Sequence, residues 1–261
     1  FASKGKQEVK IEFVFSDCEY VINKIRQPEI FALETEREFN VLNLESLFAD
    51  KLTTLGPTTI GVSDERAGEQ FKQIYDVITL FISNMNQIIL NIENIRTSYE
   101  KAAKLECQIH DIPYDPDRLF EDMKLLISRL KNIESDKILL QRANDFQALY
   151  LRNIVNRDKA QWTIAGYQLE LLVEYIFHND TRVLRFKEIE ELIDKLKFEN
   201  IRGPERGRIN REIRNSLEAN FKTIEGLSLD LFRKRMDRII WELAGHVPFN
   251  ALEDSMKDIY Y

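Results

Sequence analysis

Two hydrophobic periods divide the chain. From Val9 to Phe15 the order VKIEFVF alternates: Val9, Ile11, Phe13 and Phe15 share one side, and Lys10, Glu12 and Val14 the other. That period of two predicts a half-buried strand with Glu12 on the face away from the core. Tyr20-Val21-Ile22, Ile30 to Leu33 and Phe39 to Leu42 are further short strand candidates, with Gln27-Pro28 as a break. From Ala67 onward the apolar residues recur at helical spacing. The pattern predicts one long helix from Ala67 to about Glu106, then a loop through His110 to Pro116. Asp115 caps the next helix and Pro116 begins it. Ser135 caps another over Asp136 to Asn156, Arg157 and Asp158 separate it from Trp162 to Phe177, and Phe186 to Phe198 follows a turn at His178-Asn179-Asp180. The expected class is α+β: a mostly helical chain with one small sheet confined to residues before Val41.

Between these regimes, Leu44 to Leu55 reads as a helix with Asn43 as its N-cap and Gly56-Pro57 as its stop, Gly56 taking the left-handed end. Leu44, Leu47, Phe48, Leu52 and Leu55 form its apolar stripe, and Lys51 falls in the middle of that stripe. An ammonium there must snorkel to water or meet an anion, because an unpaired buried charge is strongly unfavourable. On the following helix Phe71, Ile74, Tyr75, Ile78 and Ile82 have core spacing, and Lys72 and Asp76 share one flank. The bland reading of that pair is a surface contact worth about 0.3–0.5 kcal/mol. The sharper reading makes it half of a binding site.

Composition narrows the classes. The 261 residues suffice for one large domain or two small ones, and only 9 Gly and 6 Pro favour long helices over many tight turns. A net charge of −7 argues against a nucleic-acid glove over the whole surface but leaves room for a local basic groove. Cys18 and Cys107 have no disulfide spacing, no apolar run approaches the ~20 residues of a membrane span, and no signal-peptide pattern opens the chain. These features predict a cytoplasmic protein with free thiols and no membrane association. The first residue is Phe1, not Met, and a strand follows almost at once, so a further N-terminal part is expected upstream.

Leu44, Glu45, Lys51, Leu52, Arg66, Lys72, Tyr75 and Asp76 together resemble the AbiEii/AbiGii toxin family, nucleotidyltransferase-like proteins of toxin–antitoxin and phage-defence systems. The resemblance covers about Val9 to Leu80, with one departure: the family usually has Asp after the second Lys, and this chain has Gln73. It implies residues 1–66 as the end of a mixed nucleotidyltransferase sheet and residues 67–261 as a large helical domain. It also implies transfer of a nucleotide from an NTP to an RNA or protein acceptor, and a cognate antitoxin as partner. In that scheme Glu12 helps hold Mg²⁺, Lys51 and Lys72 contact triphosphate oxygens, and Asp76 positions Lys72 or acts as a base. The superfamily's Gly-Ser turn and paired strand aspartates have no match in residues 1–261, and their place would be before the Glu12 strand.

Arg202, Arg206, Arg208, Arg211 and Arg214 form the densest basic stretch and are candidate RNA-phosphate contacts. Glu205, Glu212, Glu218 and Asp230 allow the alternative of a balanced, solvated helix face. His110, His178 and His246 are isolated and have no metal-ligand spacing. A different class of function stays open beside the enzyme: a non-catalytic interaction protein built on a degenerate nucleotidyltransferase scaffold, which Gln73 and the unmatched motif favour.

Overall fold

Asn43 starts the first helix as its side chain allows. Its backbone is extended and its Oδ1 accepts from the Ser46 amide at 2.8 Å, opening α1 at Leu44–Thr53. A computed structural model describes residues 20–26, 29–30, 33–34, 38–151, 157–197 and 203–260. Strand β1 (Ile22–Arg26) pairs antiparallel with β4 (Glu38–Leu42), in register from Ile22 opposite Leu42 to Arg26 opposite Glu38. Between them β2 (Glu29–Ile30) pairs antiparallel with β3 (Leu33–Glu34). The Asn43 amide donates to the Val21 carbonyl (3.0 Å) and the Val21 amide to Ser46 Oγ (3.2 Å), tying this ribbon to α1. The expected Val9–Phe15 strand, with Glu12, and Cys18 lie outside the described residues.

The chain is mostly helical with a small antiparallel sheet, an α+β architecture. Strand β4 runs to Leu42, slightly past the expected limit, and no strand follows it among the described residues. The long helix expected from Ala67 to Glu106 is two: α2 (Ala67–Leu90) and α3 (Ile92–Ile109). Asparagine side chains explain the interruption. Asn84 leaves helical geometry (φ −128°, ψ 22°) and its Nδ2 donates to the Leu80 carbonyl, while Asn91 Nδ2 donates to that of Gln87. Side-chain amides compete with the backbone in this way. Asp115 and Pro116 open α4 (Pro116–Lys131) as expected, but Asp136, not Ser135, caps α5 (Lys137–Tyr150), accepting from the Leu139 amide. A reciprocal capping box of Asp158 and Gln161 opens α6 (Lys159–His178), and Asn179 ends it in the left-handed conformation at φ 59°. Helix α7 (Phe186–Lys195) stops short of Phe198, and α8 (Pro204–Phe221), α9 (Met236–Ala244), α10 (Phe249–Asp254) and α11 (Lys257–Tyr260) complete the described chain.

Helix α6 is the central element. It buries residues on nearly every side along its length, which is the signature of an interior helix rather than a surface one. It packs on α4 and α9, while α1 packs mainly on α3. Phe71 of α2 meets Trp162 of α6 edge to face at 5.0 Å. At the α4–α6 crossing a Cβ on Gly166 would stand 2.9 Å from the Lys131 backbone nitrogen, so only glycine fits. One continuous hydrophobic core runs from Phe48 to Met256.

The loop between α1 and α2 is built around a carboxylate from another helix. Asp122 of α4, 5% exposed, accepts from the Thr58 amide (2.9 Å), Thr58 Oγ1 (2.6 Å) and Thr59 Oγ1 (2.7 Å). Gly56 does not take the expected left-handed end; positive φ among the described glycines occurs at Gly203 and Gly226. Helix α1 stops earlier because the hydroxyls of Thr53 and Thr54 take the carbonyls of Asp50 and Lys51. Glycine is needed at 56 and 61 for close approach. A Cβ on Gly56 would lie 2.9 Å from Asp122 Oδ2, and one on Gly61 2.5 Å from the Gly56 nitrogen. Further along, Asp64 accepts from Arg129 Nη1 at 2.8 and 2.7 Å, so α4 grips the loop at both ends. Asp122→Ala removes the acceptor of three loop donors, two of them on the exposed Thr58, and is expected to lower stability by about 1–2 kcal/mol, measured by urea denaturation, whereas the exposed Glu121→Ala on the same helix should be nearly neutral.

Candidate functional site

The α1–α2 loop folds the second helix back so that Lys51 of α1 faces the first turns of α2. Lys51 Nζ donates to Asp76 Oδ2 at 3.2 Å and to Gln73 Oε1 at 2.9 Å. Lys72 Nζ donates to the same Asp76 Oδ2 at 3.0 Å. The ammonium in the apolar stripe has therefore met an anion, and the Lys72–Asp76 pair is half of a three-residue cluster. Side-chain exposures of 21% for Lys51, 28% for Asp76 and 44% for Lys72 grade the cluster from half-dry to wet.

Beside it lies a cavity of about 300 Å³ whose wall includes Leu47, Lys51, Tyr75, Asp76, Thr79 and Leu80. Its lining is largely apolar, with one cation and one carboxylate at the edge. Lys72 does not line it and is linked to it only through Asp76. Asp50, on the flank of α1, accepts from the Tyr20 hydroxyl at 3.0 Å and so belongs to the ribbon contact. Arg66 pairs with Glu69 within the start of α2.

The chain matches the family model for the nucleotidyl transferase AbiEii toxin of type IV toxin–antitoxin systems over residues 1–163. It belongs to that family. Comparison with curated proteins and with solved structures gave no match. The family match extends well beyond Leu80, through α2, α3, α4 and α5 into the second turn of α6. A nucleotidyltransferase-like toxin with a cognate antitoxin is what this membership establishes.

Nucleotidyl transferases of this kind generally use an NTP and a divalent metal. Among the described residues no three His, Cys, Asp or Glu side chains come together closely enough to hold an ion. Glu12, the expected ligand, lies outside the described residues. Gln73, the one noted departure from the resemblance, faces Lys51 and offers it a neutral amide oxygen.

The basic stretch separates into three groups. Arg202 is outside the described residues. Arg208 is clamped by Glu205 and Glu212 at 2.7 and 2.6 Å, and Arg214 donates to the backbone carbonyls of Phe232 and Lys234. Burial pulls the Arg214 pKa below its ordinary value. Arg206 and Arg211 are exposed and have no acidic partner among the described residues. No described helix is long and apolar enough to cross a membrane.

Sequence reasoning expected Lys51, Lys72 and Asp76 to converge around one cleft; it did not foresee that both ammonium groups would share one Asp76 oxygen with Lys72 off the cavity wall, and it treated Gln73 only as a departure. Asp76 is the single carboxylate shared by both ammonium groups. Asp76→Asn should reduce stability by about 0.5–1.5 kcal/mol at low salt, with the loss shrinking in high salt as the unpaired cations are screened. Urea titrations of both proteins at two salt concentrations measure this.

Proposed function

We propose that the Lys51–Lys72–Asp76 cluster is the triphosphate side of a nucleotide site, in a toxin that moves a nucleotide from an NTP to an RNA or protein acceptor. In this reading residues 1–66 are the tail of the nucleotidyltransferase part and residues 67–261 its helical body. The observation that carries it is the meeting of two ammonium groups from different helices on one carboxylate oxygen, at the mouth of an apolar cavity. One carboxylate against two cations leaves a net positive charge in a partly dry place. A triphosphate oxygen arriving there takes hydrogen bonds that Asp76 already orients, so little reorganisation is needed. Asp76 holds both lysines between turnovers and is placed to accept a proton from an attacking hydroxyl. The adjoining apolar wall of Leu47, Tyr75 and Leu80 suits the flat face of a base. The Mg²⁺ role of Glu12 remains part of the proposal, and no step above depends on it.

Gln73 supports a second reading, in which the fold is a binding scaffold without transfer activity. A neutral amide in place of the family's usual acid is what loss of catalysis would leave behind.

Lys51→Ala and Lys72→Ala each remove a charge-assisted contact worth about 1.5–3 kcal/mol, so NTP affinity should fall at least ~10-fold. Labelled-nucleotide incorporation into RNA or protein should be lost, while the thermal melt moves by only a few degrees. Binding and labelling unaffected by either change would leave the scaffold reading. For an RNA acceptor, the exposed Arg206 and Arg211 are the proposed phosphate contacts of the basic stretch, since Arg208 and Arg214 already have partners. Reversing both charges should flatten the salt dependence of RNA binding by about two in log–log slope; an unchanged slope assigns them to the solvated face.

A further inference from the structure

A second cavity, of about 490 Å³ and with none of the lysine cluster in its lining, lies between α6, α7 and α9; its wall includes Arg157, Gln161, Gln168, Glu190, Arg235 and Trp241. Arg157 is its unusual member. The guanidinium lies over the rings of Tyr75 (5.1 Å) and Trp162 (5.4 Å). It has no carboxylate or carbonyl acceptor among the described residues, and only its backbone amide is engaged, donating to Gln147 Oε1. The neighbouring segment, residues 152–156, contains no Asp or Glu. Burial pulls the Arg157 pKa below its ordinary value. The other long cations of the cavity are accounted for: Arg235 bonds Asp158 and Asp237, and Lys197 bonds Asp194. A planar fork of five donors is thus held by two aromatic faces with its edge unused, in a site where an unpaired cation is unfavourable.

We propose that this cavity binds a small organic oxyanion, a carboxylate or a monophosphate, with Arg157 as its anchor. Aromatic stacking fixes the guanidinium plane, which suits bidentate recognition of such a group. The Gln168 amide, buried and without a hydrogen-bond partner among the described residues, supplies a further polar contact. Glu190, Asp194 and Asp237 also line the cavity, and these carboxylates disfavour polyphosphates and nucleic acid. The site is therefore distinct in chemistry from the lysine cluster. The two are joined through Tyr75, whose ring carries Arg157 and lines the smaller cavity beside Asp76.

Both tryptophans of the chain belong to this region: Trp162 beneath Arg157 and Trp241 in the cavity wall. Intrinsic fluorescence therefore reads occupancy directly. Titration with sodium acetate and with inorganic phosphate, each against chloride at matched ionic strength, should give a saturable change, and the tighter of the two names the source of the oxyanion. The Lys51→Ala/Lys72→Ala double variant should keep that change, which separates this site from the proposed nucleotide site. Arg157→Met should weaken the response at least ~10-fold, because methionine offers no donor. Should that variant fail to fold, phenylglyoxal labelling of Arg157 in the unaltered protein, mapped by peptide mass, serves instead: phosphate or acetate should slow it. A response equal to that of chloride, a response retained in Arg157→Met, or labelling at the same rate with and without anion overturns the proposal.

Discussion

The Asp122 carboxylate is the interaction on which the candidate site depends. Lys51 and Asp76 lie on either side of a loop that contains Gly56, Pro57 and Gly61 and would otherwise be free to vary. Asp122 removes that freedom by accepting from a backbone amide and two threonine hydroxyls of the loop. Gly56 and Gly61 allow the backbone to come close enough for this. Asp64, held by Arg129, fixes the point where the loop enters α2. Both anchors come from α4, which in turn packs on α6. The angle at which the two lysine-bearing helices meet is thus set by a helix that carries neither lysine.

At the cluster itself, charge is deliberately unbalanced. Several cations elsewhere are closely paired: Lys131 with Glu170, Arg182 with Asp180, and Lys234 and Arg238 together on Glu134. The Glu134 pair also shares one carboxylate between two cations, but there burial works against ionisation and the two donors prevail, holding its carboxyl below the ordinary range. It joins the end of α4 to the start of α9 as a brace. The Lys51–Lys72–Asp76 group has the same arithmetic at an open pocket edge, with a glutamine in reach of Lys51.

Local chemistry was legible in the sequence wherever a short-range rule decided the outcome. Asn43, Asp115, Pro116 and Asn179 behave as their side chains dictate, and the shift from strand to helix periodicity gave the α+β class. Failures came where a side chain competed within its own helix or where a distant partner decided. Asn84 and Asn91 divide a helix whose apolar period runs on unbroken. Gly56 looked like a helix terminator and is instead a spacer against a carboxylate 66 residues further along the chain, a distance that only the tertiary structure reveals. Lys51 announced that it needed an anion, yet nothing local could name Asp76 over Glu45 or Asp50. Arg157 gave no signal, because its meaning lies in the two aromatic rings that lack any sequence relation to it.

The end of the family match at residue 163 falls at the start of the second turn of α6. Recognisable sequence therefore stops where structural necessity does not. The remaining turns of that helix fill the space between α4 and α9, and at Gly166 they admit no side chain at all. Beyond residue 163 the chain still has to supply an apolar rod, bare at Gly166, for the matched portion to close around.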